Sequence, residues 1–166
     1  LNVKTLNLLP NVLTAQQAVE QGVDEAVYHR GDYVTEGFHS NIMMIKDGAL
    51  CTPPADNLIL PGITRKHLME LAHKMDIPVK EAPITLTELF DADEVLVTNS
   101  GALCNRVSHI DGKPVGGKAQ DLVKRLQDAY AAWFNEETHS QTFSADKRRG
   151  RLQKSNRILL SLDRKS

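Results

Sequence analysis

Asp47-Gly48 constrains the fold of this chain more than any other pair of residues, because Asp-Gly between two short apolar runs is a strong signal for a tight β-hairpin. The flanking runs are residues 41–46, with Ile42, Met43, Met44 and Ile45, and residues 49–52, with Ala49, Leu50 and Cys51. Two further extended runs, 25–30 and 33–35, come just before them. Helical patterns enclose this strand-rich block. Residues 7–21 are rich in Leu, Ala, Gln and Glu, with Pro10 near the first turn and Gly22 placed just past the end. Leu68, Leu71 and Ala72 give residues 65–75 an apolar stripe at helical spacing, with Thr64 as the expected N-cap.

The second half continues the alternation. A short strand at 79–81 precedes Thr85 and Glu88, whose spacing is that of a capping box for a helix running to Ala92. Residues 94–98 read as a buried strand, 104–110 as another closed by Asp111-Gly112, and 120–135 as a helix with Leu122, Leu126, Ala129 and Trp133 on one face. Strands and helices mixed over 166 residues predict an α/β (α+β) domain around one sheet. The composition agrees, with 41% hydrophobic and 25% charged residues and a mean hydropathy of −0.33. No apolar run approaches the roughly 18 residues that span a bilayer. Cys51 and Cys104 show no metal or redox spacing, and the sequence predicts a cytoplasmic protein with no membrane partner. Charge is uneven: residues 1–145 hold 12 Lys and Arg against 19 Asp and Glu, and residues 146–166 hold 8 against 2.

The six histidines are scattered without ligand spacing, so no metal site is expected and they read as surface or core side chains. There is no GxGxxG or P-loop pattern. Gly116-Gly117-Lys118 before the last helix reads as a flexible loop rather than an anion site. Two other turns are better suited to an anion. Pro61-Gly62-Ile63-Thr64-Arg65 opens a helix, whose first N–H groups and positive dipole end attract anions. Thr98-Asn99-Ser100-Gly101 ends a strand with backbone donors and hydroxyls. Beside these phosphate-type turns, Lys4 offers an amine and Glu36 a carboxylate. An amine for the aldehyde, a carboxylate for the ring N–H and a cup for the phosphate are the handles that pyridoxal phosphate requires.

At these residues the chain resembles the class IV (fold type IV) pyridoxal phosphate enzymes, most of all the D-amino acid aminotransferases. The resemblance runs from Leu1 to about Phe134. It is carried by Lys4-Thr5-Leu6-Asn7-Leu8-Leu9, by Val34-Thr35-Glu36-Gly37 continuing to Ser40-Asn41, by Leu58-Ile59-Leu60-Pro61-Gly62-Ile63-Thr64-Arg65, and by Asp93-Glu94 through Thr98. It implies the carboxyl-terminal domain of that fold, a mixed sheet or pseudo-barrel flanked by helices, over residues 1–137. It makes Lys4 the Schiff-base lysine and Glu36 the partner of the pyridine nitrogen. Leu60 would pack on the ring, and Gly62, Ile63 and Thr64 would bind phosphate together with Asn99 and Ser100.

Arg106 stands where many relatives carry proline, and Thr98-Asn99-Ser100 also resembles the turn of aminodeoxychorismate lyases. Leu9 replaces a tyrosine usual in branched-chain aminotransferases, which favours the D-amino acid side. The resemblance thus implies a ping-pong exchange between a D-amino acid, D-alanine foremost, and a 2-oxo acid. The lyase and branched-chain activities are the alternatives. It also implies a homodimer at full length and an amino-terminal domain upstream of the lysine, so that this chain is expected to be a fragment and a weak catalyst alone. Residues 138–166 have no counterpart and read as a basic tail of unassigned role. Lys147-Arg148-Arg149-Gly150-Arg151 lacks interleaved aromatics, so nucleic acid is not an expected partner. An inactive fragment or a binding module using this tail is the expectation from another class.

Overall fold

A computed structural model describes residues 9–101, 103–138 and 156–161. The chain runs α1 (Leu9–Glu20), β1 (Glu25–Arg30), β2 (Tyr33–Gly37), β3 (Asn41–Lys46), β4 (Ala49–Thr52), α2 (Ile63–Lys74) and β5 (Val79–Glu81). It continues through α3 (Leu86–Phe90), β6 (Glu94–Thr98), β7 (Asn105–Ile110), β8 (Lys113–Pro114), α4 (Gln120–Thr138) and β9 (Asn156–Ser161). The expected hairpin is present: Met44 faces Cys51 and Lys46 faces Ala49, with Asp47 and Gly48 both at positive φ in the turn. Thr85 and Glu88 form the expected capping box, the Thr85 hydroxyl accepting the Glu88 N–H and the Glu88 carboxylate accepting the Thr85 N–H.

Six strands close on themselves in the order β2-β1-β9-β7-β6-β3, because β2 pairs with β3 through Glu36 and Asn41. The β4 and β5 strands extend the sheet from β3. This is the α/β pseudo-barrel expected from the resemblance. One apolar cluster fills it and a second packs on its outer face. Val27, Val34, Ile42, Met44, Val95, Val97, Val107 and Ile158 form one with Leu89 of α3. The alternate residues of β3, β4 and β6, Met43, Ile45, Leu50 and Leu96, pack against Leu68 of α2 and Val123 and Leu126 of α4. Strict side-chain alternation along β3 and β6 produces this two-sided burial.

β9 departs from the sequence expectation. Residues 138–166 read as a basic tail of unassigned role, whereas Asn156–Ser161 within it is a strand parallel to both β1 and β7. Without it the two neighbours would not be joined and the ring would be open. Its Ile158 is buried in the barrel cluster. The rest of the basic segment, residues 139–155 and 162–166, lies outside the described residues, as does the Lys147–Arg151 run. Among the described residues, no helix is long and apolar enough to cross a membrane.

Candidate active site

The side chain of Glu36 is directed by an irregularity in β2. Val27 pairs with Gly37 and His29 with Val34, so Thr35 and Glu36 together lie opposite the single residue Tyr28. A bulge of this kind shifts the alternation by one residue. Val34 faces the barrel cluster, and simple alternation would send Glu36 the same way. With the bulge, Glu36 pairs instead with Asn41, whose neighbours along β3 on that face, Met43 and Ile45, pack under α2. The Thr35 hydroxyl donates to the Tyr28 carbonyl at 3.1 Å and fixes the bulge.

Glu36 is buried, and its Oε2 accepts the Leu60 N–H at 2.9 Å. Asn41 clamps the same loop from the other side. Its Nδ2 donates to the Leu60 carbonyl at 2.8 Å, and its Oδ1 accepts the Gly62 N–H at 3.1 Å. A methyl group on Gly62 would collide with Asn41 Oδ1, so glycine is required there by close approach. The clamp delivers the chain into α2 two residues earlier than the sequence indicates. Gly62, not Thr64, is the N-cap; it offers no side-chain cap, and Thr64 is buried inside the first turn. The start of α2 therefore presents backbone donors and the positive end of the helix dipole without a side-chain acceptor of its own.

Arg65 holds that helix end in place. It is buried, with Nε donating to the Thr52 hydroxyl at 3.2 Å and Nη2 donating to the Pro53 carbonyl at 3.0 Å and to Glu81 Oε2 at 2.6 Å. Asn41 and Arg65 thus position the site, although the sequence marks neither beyond its place in a motif.

Thr98 pairs with Asn41 across β3 and β6, on the face that carries Glu36. Its hydroxyl is buried, and among the described residues it has no hydrogen-bond partner. Asn99 and Ser100 follow it. Asn99 Oδ1 accepts the Gly101 N–H at 2.9 Å, which shapes the turn, and Ser100 is exposed. The structure thus joins Glu36, Leu60, Gly62, Ile63 and Thr64 through Asn41, and joins Asn99 and Ser100 to them through Thr98. Lys4 lies outside the described residues. These groups fit a phosphorylated pyridine: a buried carboxylate for a ring N–H, the half-buried Leu60 beside it, an uncapped helix start, and an orphaned buried hydroxyl next to the second turn.

One histidine read as an ordinary surface or core side chain belongs to the site's rim. His39 Nδ1 lies 3.1 Å from Glu25 Oε2, and its Nε2 lies 3.5 Å from Asn99 Nδ2. The hydrogen bond to Glu25 raises the His39 pKa above its ordinary value, against the lowering effect of partial burial. Because the folded-state value is raised, the contribution of the pair to stability is complete below the range where free histidine titrates. It is lost as pH rises through the raised value. An NMR titration of the His39 ring is expected to show a midpoint above that of an unstructured histidine peptide, with Glu25→Gln moving it back down; an unshifted midpoint would refute the pairing. The two cysteines are not part of this chemistry: both are buried, and burial pushes Cys104 up to about 12.

A closed mixed barrel with a carboxylate on its outer face, clamped beneath a helix start, is the arrangement expected of the class IV aminotransferase fold. The chain matches the family of class IV amino-transferases over residues 1–110, and it belongs to that family. It is 48% identical over 130 residues to a D-alanine aminotransferase of Listeria monocytogenes, covering 78% of this chain and 45% of that protein. It is 42% identical over 140 residues to a D-alanine aminotransferase of Staphylococcus aureus, covering 84% and 49%. The chain therefore spans about half the length of the curated relatives it matches. Among solved structures, a branched-chain amino acid aminotransferase from Escherichia coli superposes with a TM-score of 0.71 at 32% identity, covering 83% of this chain and 47% of that one. A Legionella pneumophila structure described as a candidate 4-amino-4-deoxychorismate lyase gives 0.71 at 28%, covering 82% and 49%.

Proposed function

We propose that this chain is the pyridoxal phosphate-binding part of a D-amino acid aminotransferase that exchanges the amino group of D-alanine with a 2-oxo acid by a ping-pong route, as a homodimer. The observation that carries this is the buried Glu36 carboxylate, turned out of the barrel by the bulge and held by the Leu60 N–H beside the uncapped start of α2. The choice of D-alanine is supported by the relatives at 42 to 48% identity.

When bound, pyridoxal phosphate supplies an aldehyde carbon that takes up the amino group and a ring that withdraws electrons from the substrate α-carbon. Glu36 keeps a proton on the pyridine nitrogen. Leu60 covers one face of the ring and excludes water from it. The backbone donors of Ile63 and Thr64, with Asn99 and Ser100, hold the phosphate. Lys4 Nζ, assigned from the family resemblance, anchors the cofactor and carries the proton to and from the α-carbon.

Pyruvate release separates this function from its nearest competitor. With pyridoxal phosphate present, multiple-turnover release of pyruvate from D-alanine, beyond the single half-reaction, is expected only when a second 2-oxo acid accepts the amino group. A lyase would instead release pyruvate from aminodeoxychorismate with no acceptor. Turnover of L-leucine above D-alanine would point to the branched-chain reaction and overturn the proposal.

A further inference from the structure

We propose that His39 is an additional residue for binding the cofactor phosphate: braced through Nδ1 by the buried Glu25 carboxylate, it presents Nε2 to the Asn99-Ser100 turn as a proton donor for the dianion. This rests on the cofactor assignment above and extends it to a residue to which the resemblance gives no role.

The bracing is extensive. Glu25 is 4% exposed, and besides His39 its carboxylate accepts the Ala26 N–H at 3.1 Å, the Phe38 N–H at 3.2 Å and the Ser40 hydroxyl at 2.7 Å. These bonds lock the turn between β2 and β3, the strands that carry Glu36 and Asn41. The His39 ring also stacks on Phe38, with centroids 4.3 Å apart and planes 26° from parallel. With Nδ1 on a carboxylate and one face against an aromatic ring, the direction of Nε2 is fixed.

That direction is toward Asn99. When His39 is neutral with its proton on Nδ1, Nε2 can accept from the Asn99 amide; when it is protonated, Nε2 needs an acceptor, which the amide nitrogen is not. A separation of 3.5 Å is long for a hydrogen bond, so giving it up costs little. A phosphate at Ser100 supplies the acceptor. Among the described residues, Glu25 on β1 is the charged group that acts on the ring; Asn11 of α1, which donates to the Phe38 carbonyl, and Asn99 after β6 are neutral.

The test compares binding of pyridoxal phosphate and of pyridoxal, which lacks the phosphate, to the native chain and to His39→Gln and His39→Ala, followed by absorbance. The glutamine amide can still reach Glu25 and preserve the turn. Both variants are expected to bind pyridoxal phosphate about tenfold more weakly, the scale of one charge-assisted hydrogen bond, with pyridoxal binding unchanged. Equal weakening toward both ligands would make His39 only a brace of the turn and overturn the proposal. So would unchanged binding of pyridoxal phosphate, which would leave the cofactor assignment standing. Failure of the native chain to bind pyridoxal phosphate at all would overturn both.

Discussion

Lys4→Ala is expected to abolish the visible absorbance band that pyridoxal phosphate gains on attachment to the protein, and with it all measurable transamination. Glu36→Gln is expected to behave differently, keeping the band and losing turnover. The contrast follows from what each group does. An amine is the only side chain that forms the covalent attachment, so its removal leaves no partial activity of that kind. Glu36 instead supplies negative charge at the ring nitrogen from a buried position. Glutamine can still meet the Leu60 N–H through its carbonyl, so the loop should stay in place while the charge is lost. Removing one partner of a buried charge pair costs about 3–5 kcal/mol, which corresponds to a loss of roughly two to four orders of magnitude in rate. Borohydride reduction of the loaded protein followed by peptide mapping checks the lysine, and steady-state kinetics check the carboxylate. Cofactor found on another lysine would remove Lys4 from its role, and Glu36→Gln turnover within twofold of the native value would remove Glu36.

Much of the fold was legible because its elements are short and locally signalled. The strands Glu25–Arg30, Asn41–Lys46, Ala49–Thr52, Val79–Glu81 and Glu94–Thr98 have the expected bounds, since apolar runs set off by Gly, Pro, Asp and Asn leave few alternatives. β9 was not legible for a physical reason. A short run such as Ile158-Leu159-Leu160 has no period that separates strand from helix, and its partners β1 and β7 lie far away in sequence. The site divides in the same way. Glu36, Leu60, Gly62, Ile63, Thr64, Asn99 and Ser100 stood out through motif resemblance, and the structure collects them at one end of the barrel. The residues that place them did not stand out. Asn41 looks like any polar residue at a strand start, Arg65 like any surface arginine, and His39 like a lone histidine until Glu25 is seen beneath it. The bulge that aims Glu36 depends on the register between two strands, which no single strand encodes.

Glu94→Ala is expected to destabilise the fold by about 3–5 kcal/mol, far more than Arg106→Ala, although the two residues form one ion pair. Glu94 is fully buried, and it serves more than the arginine. Its Oε1 accepts the N–H groups of Gly117 at 3.0 Å and Ala119 at 3.2 Å, while Oε2 accepts Arg106 Nε at 2.9 Å. The Gly116-Gly117-Lys118 loop, whose donors suit an anion, thus already holds an internal one. Gly116 and Gly117 both have positive φ, and a Cβ on Gly116 would sit 3.0 Å from Glu94 Oε2, so the loop is shaped around this carboxylate. Removing Glu94 leaves the Gly117 and Ala119 N–H groups without their acceptor, opens a void and releases the entry to α4, whose Val123 and Leu126 pack on the sheet. Removing Arg106 leaves the carboxylate its two backbone donors, and the arginine is 37% exposed, so its own desolvation is modest. Denaturant unfolding of Glu94→Ala, Arg106→Ala and the double variant separates the contributions. The double variant should be close to Glu94→Ala alone. Equal losses from the two single variants would mean that the ion pair, rather than the loop donors, is what Glu94 contributes.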